Sequence, residues 1–314
     1  MFVTFTLSAQ TKQLNLDELI TNRKLYPTSL SNLQWMDESG NYSWIANNKL
    51  VKGNAKSEQK DTILDLEAIN KSIKSFTEKE IKKFPSIEWI NKTNFTFIVA
   101  NKLFNYDMVK KEVAVLNKYP EMAENTDVEP NTYNIAYTML NNLYVSYRGT
   151  EIAVTEDKDK GIVNGQSVHR NEFGIKKGTF WSPKGNLLAY YRMDETMVTD
   201  YPLVDIEPRV AELKSIKYPM AGMKSHHVTV GIFDPILQKT VFLKTGKPAE
   251  QYLTNISWSP DEKYVYIAVL NRDQNHMKLN QYDVVSGDFI ATLFEEKNDK
   301  YVECHCPTIH LPTK

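Results

Sequence analysis

Along most of the chain, apolar and polar residues alternate in short runs rich in Val, Ile, Tyr, Phe and Thr. Asn, Asp, Gly and Pro interrupt these runs. This is the pattern of half-buried β-strands joined by turns. Helical spacing is confined to two places. Residues 14–20 suffice for one short turn. Residues 65–84 (DLEAINKSIKSFTEKEIKKF) place Leu66, Ile69, Ile73 and Phe76 at roughly helical intervals. Thr77, with Glu80 three residues later, has the form of a capping box inside that stretch.

The strand runs repeat. Segment 33–45 (LQWMDESGNYSWI) has an aromatic residue, a polar turn and then an alternating strand. Segments 87–98 (IEWINKTNFTFI), 180–191 (FWSPKGNLLAYY) and 256–268 (ISWSPDEKYVYIA) follow the same plan, and 133–145 (YNIAYTMLNNLYV) is a weaker copy. Pro and the polar residues after it set a tight turn, and the following strand buries alternate side chains. Units of this size cannot each bury their own faces and must stack, so the repeat predicts a β-propeller of four-stranded blades. The chain accommodates about five blades at roughly forty to fifty residues each. The gap from Trp181 to Trp258 is the widest and implies an insertion.

At 314 residues the chain is one large domain or two ordinary ones. Lys and Arg total 38 against 39 Asp and Glu, and the net charge of −1 argues against a nucleic-acid-binding surface. The two cysteines, Cys304 and Cys306, exclude a disulfide-stapled scaffold and a four-cysteine zinc site. Residues 1–10 (MFVTFTLSAQ) end an apolar run in small residues, as the last part of a signal peptide does, though no basic segment precedes it. A first apolar strand is the other reading. No other apolar run reaches the length of a membrane span.

Candidate chemistry is sparse. The sequence contains no Gly-x-Ser-x-Gly, metalloprotease, P-loop or dinucleotide motif. Cys304, His305 and Cys306, with His310 beyond, have an unusual spacing for zinc and read as a chain end, so neither a metal nor a cofactor is expected. His226 and His227 adjoin a strand, where alternation sends neighbours to opposite faces, and do not form a shared ligand set. Glu172 lies in a polar segment, 168–174 (VHRNEFG), just before the turn at Trp181. Two readings stand on the residues alone. It is a solvated loop carboxylate, or it is an anion placed across a propeller funnel to receive a cation such as a peptide's α-ammonium group.

At this segment the order of motifs becomes specific. HRNEFG at 169–174 is followed by GTFWSP at 178–183, LAYYRMDET at 188–196, DYPL at 200–203 and KYPMAG at 217–222. Together they resemble the propeller of dipeptidyl peptidase IV-like serine exopeptidases of the prolyl oligopeptidase clan, bacterial members above all. The resemblance covers essentially everything after the N-terminal segment. It implies an eight-bladed propeller followed by an α/β-hydrolase domain that carries the catalytic Ser, Asp and His. About five blades are expected in 11–314, with the hydrolase domain absent and 301–312 departing from the family's usual linker.

By the same resemblance, Glu172 matches the glutamate that receives a substrate's free N-terminus. Many members use a Glu-Glu pair, whereas here the neighbour is Asn171. The family's carbonyl-holding arginine has no match between Trp89 and Val145. Residues 196–217 fall where the family extends an arm that builds a homodimer, with Val198, Tyr201, Leu203, Val204, Ile206, Val210 and Leu213 as its apolar contacts. An ordinary long blade loop is the alternative. The implied function is substrate docking and gating for a proline-specific dipeptidyl peptidase acting on peptides with penultimate Pro or Ala. The chain by itself would be inactive, and the protein exported and periplasmic. The competing expectation is a stand-alone periplasmic binding module without peptidase activity.

Overall fold

The computed structural model describes residues 15–21, 26, 29–36 and 40–303. The segment read as a signal peptide and the Cys304–His310 cluster lie outside the described residues. The chain divides into two compact units, Met1–Phe97 with Tyr106–Glu112, and Ile98–Asn105 with Val113–Lys314.

Among the described residues the strands form successive antiparallel meanders. The first sheet comprises β1 (Ser31–Trp35), β2 (Asn41–Ala46), β3 (Lys49–Asn54) and β4 (Ser57–Asp65). The second comprises β5 (Ile87–Asn91), β6 (Asn94–Val99), β7 (Lys102–Asp107) and β8 (Glu112–Lys118). The third comprises β9 (Glu124–Val128), β10 (Ile135–Met139), β11 (Asn142–Tyr147) and β12 (Thr150–Ala153). The fourth contains β13 (Ile162–Asn164), β14 (Thr179–Trp181), β15 (Leu188–Asp194), β18 (His227–Asp234) and β19 (Lys239–Phe242). A separate ribbon, β16 (Asp200–Asp205) with β17 (Glu212–Lys217), is inserted between β15 and β18. The fifth sheet comprises β20 (Gln251–Trp258), β21 (Tyr264–Asn271), β22 (His276–Asp283) and β23 (Phe289–Lys297). Five blade-like sheets and an insertion between Trp181 and Trp258 agree with the repeat. The weaker copy at 133–145 is offset, covering the second and third strands of its sheet rather than the first and second.

Within the second unit, β15 shows how a strand serves two neighbours. Leu188 and Tyr190 pack with Ala136, Leu143 and Val145 of the third sheet. Ala189 and Tyr191 point the other way and pack with Leu253, Val265 and Ile267 of the fifth. Period-two alternation therefore sends alternate apolar residues to opposite buried faces. The Tyr191 hydroxyl donates to the Leu253 carbonyl at 2.9 Å, and burial pushes its phenol well above the ordinary range.

The repeated tryptophans tie sheet to sheet. The Trp258 indole N–H donates to the Phe180 carbonyl at 3.1 Å, and that of Trp181 to the Asp127 carbonyl at 3.1 Å. In the first unit, the Trp89 indole donates to Ser43 Oγ at 2.8 Å. The serine after the tryptophan shapes the turn. Ser182 Oγ accepts from the Leu187 N–H at 3.0 Å, and Ser259 Oγ from the Tyr264 N–H at 2.9 Å.

The helical stretch is shorter than the spacing over 65–84 predicts. Helix α1 spans Leu66–Ile73, with Asp65 capping the Ala68 N–H at 2.9 Å and Ile69 and Ile73 buried. Thr77 and Glu80 start no helix. The Thr77 hydroxyl instead donates back to the Ile73 carbonyl at 3.3 Å. Asn70 then takes both backbone groups of Ile81, at 2.9 and 3.0 Å, so a side chain pairs with the returning segment where a further helical turn would otherwise stand. The turn expected over 14–20 appears as a π-helical turn at Asp17–Thr21.

Replacing Trp258 by Phe keeps a ring in the packing and removes only the N–H donor. The expected loss is about 1 kcal/mol of unfolding free energy, the net worth of one hydrogen bond plus an orphaned carbonyl. Denaturant melts of the two proteins check this, and equal midpoints would show that the indole bond holds nothing.

Candidate functional site

The first strand of the fourth sheet is broken. β13 pairs with the far half of β15, where Asn164 is opposite Arg192, and β14 with the near half, where Thr179 is opposite Tyr190. Residues 165–178 leave the sheet between them. Both ends of this departure bind Tyr191: its carbonyl accepts from the Gly165 N–H at 2.8 Å, and its N–H donates to the Gly178 carbonyl at 2.9 Å. The strands cross closely at this neck. A Cβ on Gly178 would sit 2.1 Å from the Gln166 carbonyl oxygen, so only glycine fits.

The loop is anchored by its apolar residues. Val168 and Ile175 are buried in the core shared by the fourth and fifth sheets. The Phe173 ring lies 4.9 Å from that of Tyr252. Between these anchors the backbone is unusual. His169, Arg170 and Asn171 are successive left-handed residues with φ of 52°, 57° and 61°, Glu172 is extended, and Phe173 returns to φ 55°. Each such residue other than glycine costs about 1–2 kcal/mol. Packing therefore holds the segment in a shape it would not choose alone. Hydrogen bonds from the Asn171, Glu172 and Ile175 amides to the carbonyls of Val168, His169 and Glu172 close it on itself.

Glu172 stands exposed on this loop. Among the described residues its carboxylate has neither a hydrogen bond nor an ion pair. Asn171 is a neutral amide and supplies no second charge beside it, and its Oδ1 accepts from the Ser167 hydroxyl. Arg170 lies over the Tyr218 ring at 5.2 Å. Burial raises the Glu195 carboxyl above its ordinary value, and the positive charges of Arg170 and Lys217 oppose that rise. Arg272 Nη1 donates to the Tyr252 hydroxyl at 2.6 Å and reaches Ser225 Oγ at 3.4 Å.

Sequence reasoning missed the histidines. His226 ends the segment before β18 and is buried, whereas His227 begins the strand and is only partly so. His169, also buried, brings its Nδ1 to 2.9 Å from His226 Nε2. Burial lowers His169 to about 3, helped by the charges of His226 and Arg272. Burial likewise lowers His226 to about 4, helped by Arg170, Arg272 and His227. The residues are 57 positions apart, so no local spacing signals the pair.

The segment read as an arm is the β16–β17 ribbon. Tyr201, Leu203 and Val204 lie on β16, Leu213 on β17 opposite Val204, and Ile206 and Val210 in the connection between the strands. All six are exposed, whereas Val198 is buried before the ribbon begins. Among the described residues, no group of three or more His, Cys, Asp or Glu is placed to hold a metal ion. No helix among them is long and apolar enough to cross a membrane.

Gly178→Ala should force the neck of the loop open, destabilising the fold by about 1–3 kcal/mol, the usual range for overpacking. Hydrogen exchange at the Gly165 and Tyr191 amides, which close the neck, reads the change directly. Unaltered protection there would mean that the crossing tolerates a side chain.

Comparison with known proteins places this geometry. The family profile described as "Dipeptidyl peptidase IV (DPP IV) N-terminal region" matches residues 82–313. A Bacteroides ovatus protein described as a dipeptidyl aminopeptidase IV has a crystal structure that superposes with a TM-score of 0.83 at 43% identity, covering 95% of this chain and 42% of that one. Porphyromonas gingivalis dipeptidyl peptidase 4 superposes with a TM-score of 0.71 at 21% identity over 93% of this chain and 43% of its own, a likeness of fold. Dipeptidyl aminopeptidase B of Saccharomyces cerevisiae is 33% identical over 197 residues, which are 58% of this chain and 24% of the yeast protein. The matched stretches amount to between about a fifth and two fifths of the length of the curated relatives. With most of its length matched by the family profile and its stacked sheets shared with a structure 43% identical, the chain belongs to the family of dipeptidyl peptidase IV N-terminal regions.

Proposed function

We propose that this chain is the substrate-docking and gating part of a serine-type dipeptidyl peptidase, and that Glu172 receives the free α-ammonium group of a peptide. The observation that carries this reading is the exposed, unpartnered Glu172 carboxylate on a loop held rigid by buried anchors at either side. An ammonium group has three N–H donors, one or two of which a single carboxylate can accept, and a charge-assisted bond is about twice as strong as a neutral one. Because the loop backbone is already fixed, little ordering remains to oppose binding. A receptor for the terminal charge would set where cleavage falls, two residues from the amino end, with Pro or Ala as the penultimate residue.

The nucleophile, base and oxyanion hole belong in this reading to an α/β-hydrolase domain, and docking alone does not supply the chemical step. Export to the periplasm is part of the proposal and rests on the pattern of residues 1–10. So is dimerisation through the β16–β17 ribbon, supported by its exposed Leu203, Val204, Ile206, Val210 and Leu213.

Two measurements test the reading. In the full-length enzyme, Glu172→Gln should lower kcat/KM for dipeptidyl substrates by about 1–3 kcal/mol, as expected for a lost charged hydrogen bond. Unchanged kinetics would remove Glu172 from the site. A charge on the ribbon, Leu213→Glu, should shift the enzyme from dimer to monomer in sedimentation analysis while leaving its melting temperature nearly unaltered. A dimer that persists would assign the ribbon another role.

A further inference from the structure

The paired imidazoles beneath the Glu172 loop have only one arrangement that satisfies every contact. The Leu253 N–H points at His169 Nε2, 3.2 Å away, so that nitrogen accepts. In a neutral ring the proton is then on Nδ1 and faces His226 Nε2 at 2.9 Å. His226 Nε2 must accept in turn, which puts its own proton on Nδ1. Backbone of β20, loop and the residue before β18 are thus joined by one directional chain of hydrogen bonds. His169 is the residue at which the left-handed run begins, three positions before Glu172.

A proton added to either ring breaks this chain. On His169 it occupies Nε2 and sets two N–H donors head to head at Leu253. On His226 it occupies Nε2 and does the same between the rings, unless His169 changes tautomer and moves the conflict to Leu253. The surroundings add to the penalty. Arg170 from the loop, Arg272 from the β21–β22 turn and His227 from β18 oppose a new positive charge. Tyr252 from β20 presents its ring to His169 at 5.1 Å. Of the nearby carboxylates, Glu250 accepts from the Ser225 N–H at 3.4 Å, and Glu195 is under the influence of Arg170.

We propose that His169 and His226 act as positioning residues for Glu172: the neutral pair latches the 165–178 loop onto β20, and protonation of the pair releases the loop and displaces the carboxylate. The role in substrate positioning rests on the reading of Glu172 as the receptor for a peptide's amino end. The release of the loop does not. The direction with pH follows from linkage. Both folded imidazoles hold protons less tightly than the ordinary value of 6.5, so the open loop binds more protons than the latched one. The latch is therefore complete above about pH 6.5 and weakens as the pH falls from there towards the folded values. A peptide's α-ammonium group stays charged across that range, so its own titration does not mimic the effect.

Hydrogen exchange on the full 314-residue chain, corrected for the intrinsic pH dependence of exchange, tests the latch. Between pH 7.5 and 5.0 the amides of the loop and of Leu253 should exchange roughly tenfold faster or more, while those of β10 and β22 hold. His226→Gln keeps an acceptor opposite His169 Nδ1 and removes one of the two titrating rings, so it should keep the loop protected at pH 7.5 and reduce, without abolishing, its opening at pH 5.0. His226→Ala should leave it open at both. Wild-type protection that is equal at the two pH values, or a His226→Gln loop that opens in acid as far as the wild type, overturns the proposal. Titration with Ala-Pro-amide, followed by chemical shift, separates it from the reading of Glu172. Acid-driven opening without binding of this amide at either pH leaves the latch standing and removes the docking role. Binding at pH 7.5 with a loop that stays closed at pH 5.0 does the reverse.

Discussion

A four-stranded antiparallel sheet with apolar residues on both faces cannot stand alone in water. It must be covered on both sides, and other sheets of the same kind cover it well. The organisation of the second unit follows from this constraint. β15 sends Leu188 and Tyr190 to one neighbour and Ala189 and Tyr191 to the other, so one short run of four residues helps join three sheets. The indole bonds of Trp181 and Trp258 to the preceding sheet then set the stagger that packing alone would leave loose. Dispersion and burial are non-directional, whereas a donor that must find its acceptor is not.

That stacking makes the interrupted strand tolerable. A break in the first strand of a sheet exposes backbone groups that must be satisfied elsewhere. Here Tyr191 meets both ends of the departure, one with its carbonyl and one with its N–H. Because Tyr191 is also packed against the fifth sheet and donates to Leu253, the neck of the loop is tied to the buried core of the unit. The left-handed run from His169 to Asn171 is strained, and the neighbouring sheets bear that strain through Val168, Ile175 and the histidine pair. Strain of this kind, held by packed surroundings beside an exposed carboxylate, is what supports the docking role proposed for the loop.

The linear sequence made a good part of this legible. The repeated aromatic–turn–strand segments mark the blade-like sheets, since tight turns and alternation are local properties of the chain. Glu172 stood out because a charged, polar stretch directly precedes a regular Trp-Ser-Pro turn. The helix was overestimated for a physical reason. Thr77 and Glu80 satisfy the local rule for a helix start, yet Asn70 pairs with the backbone of Ile81, a competing bond that spacing does not display. The family relationship was likewise readable, because it resides in the order of short motifs.

What the sequence by itself determined is therefore the strand-and-turn architecture, the inserted ribbon and the place of the candidate carboxylate, all carried by periodicity and by residues close together along the chain. Tertiary structure alone decided what holds the loop that bears that carboxylate. His169 and His226 meet across 57 positions, and the Leu253 amide comes from 84 positions beyond His169 to fix which nitrogen carries the proton. Such partners are chosen by how sheets stack. Stacking depends on the sum of many burial terms, so neighbouring residues carry no local signature of it.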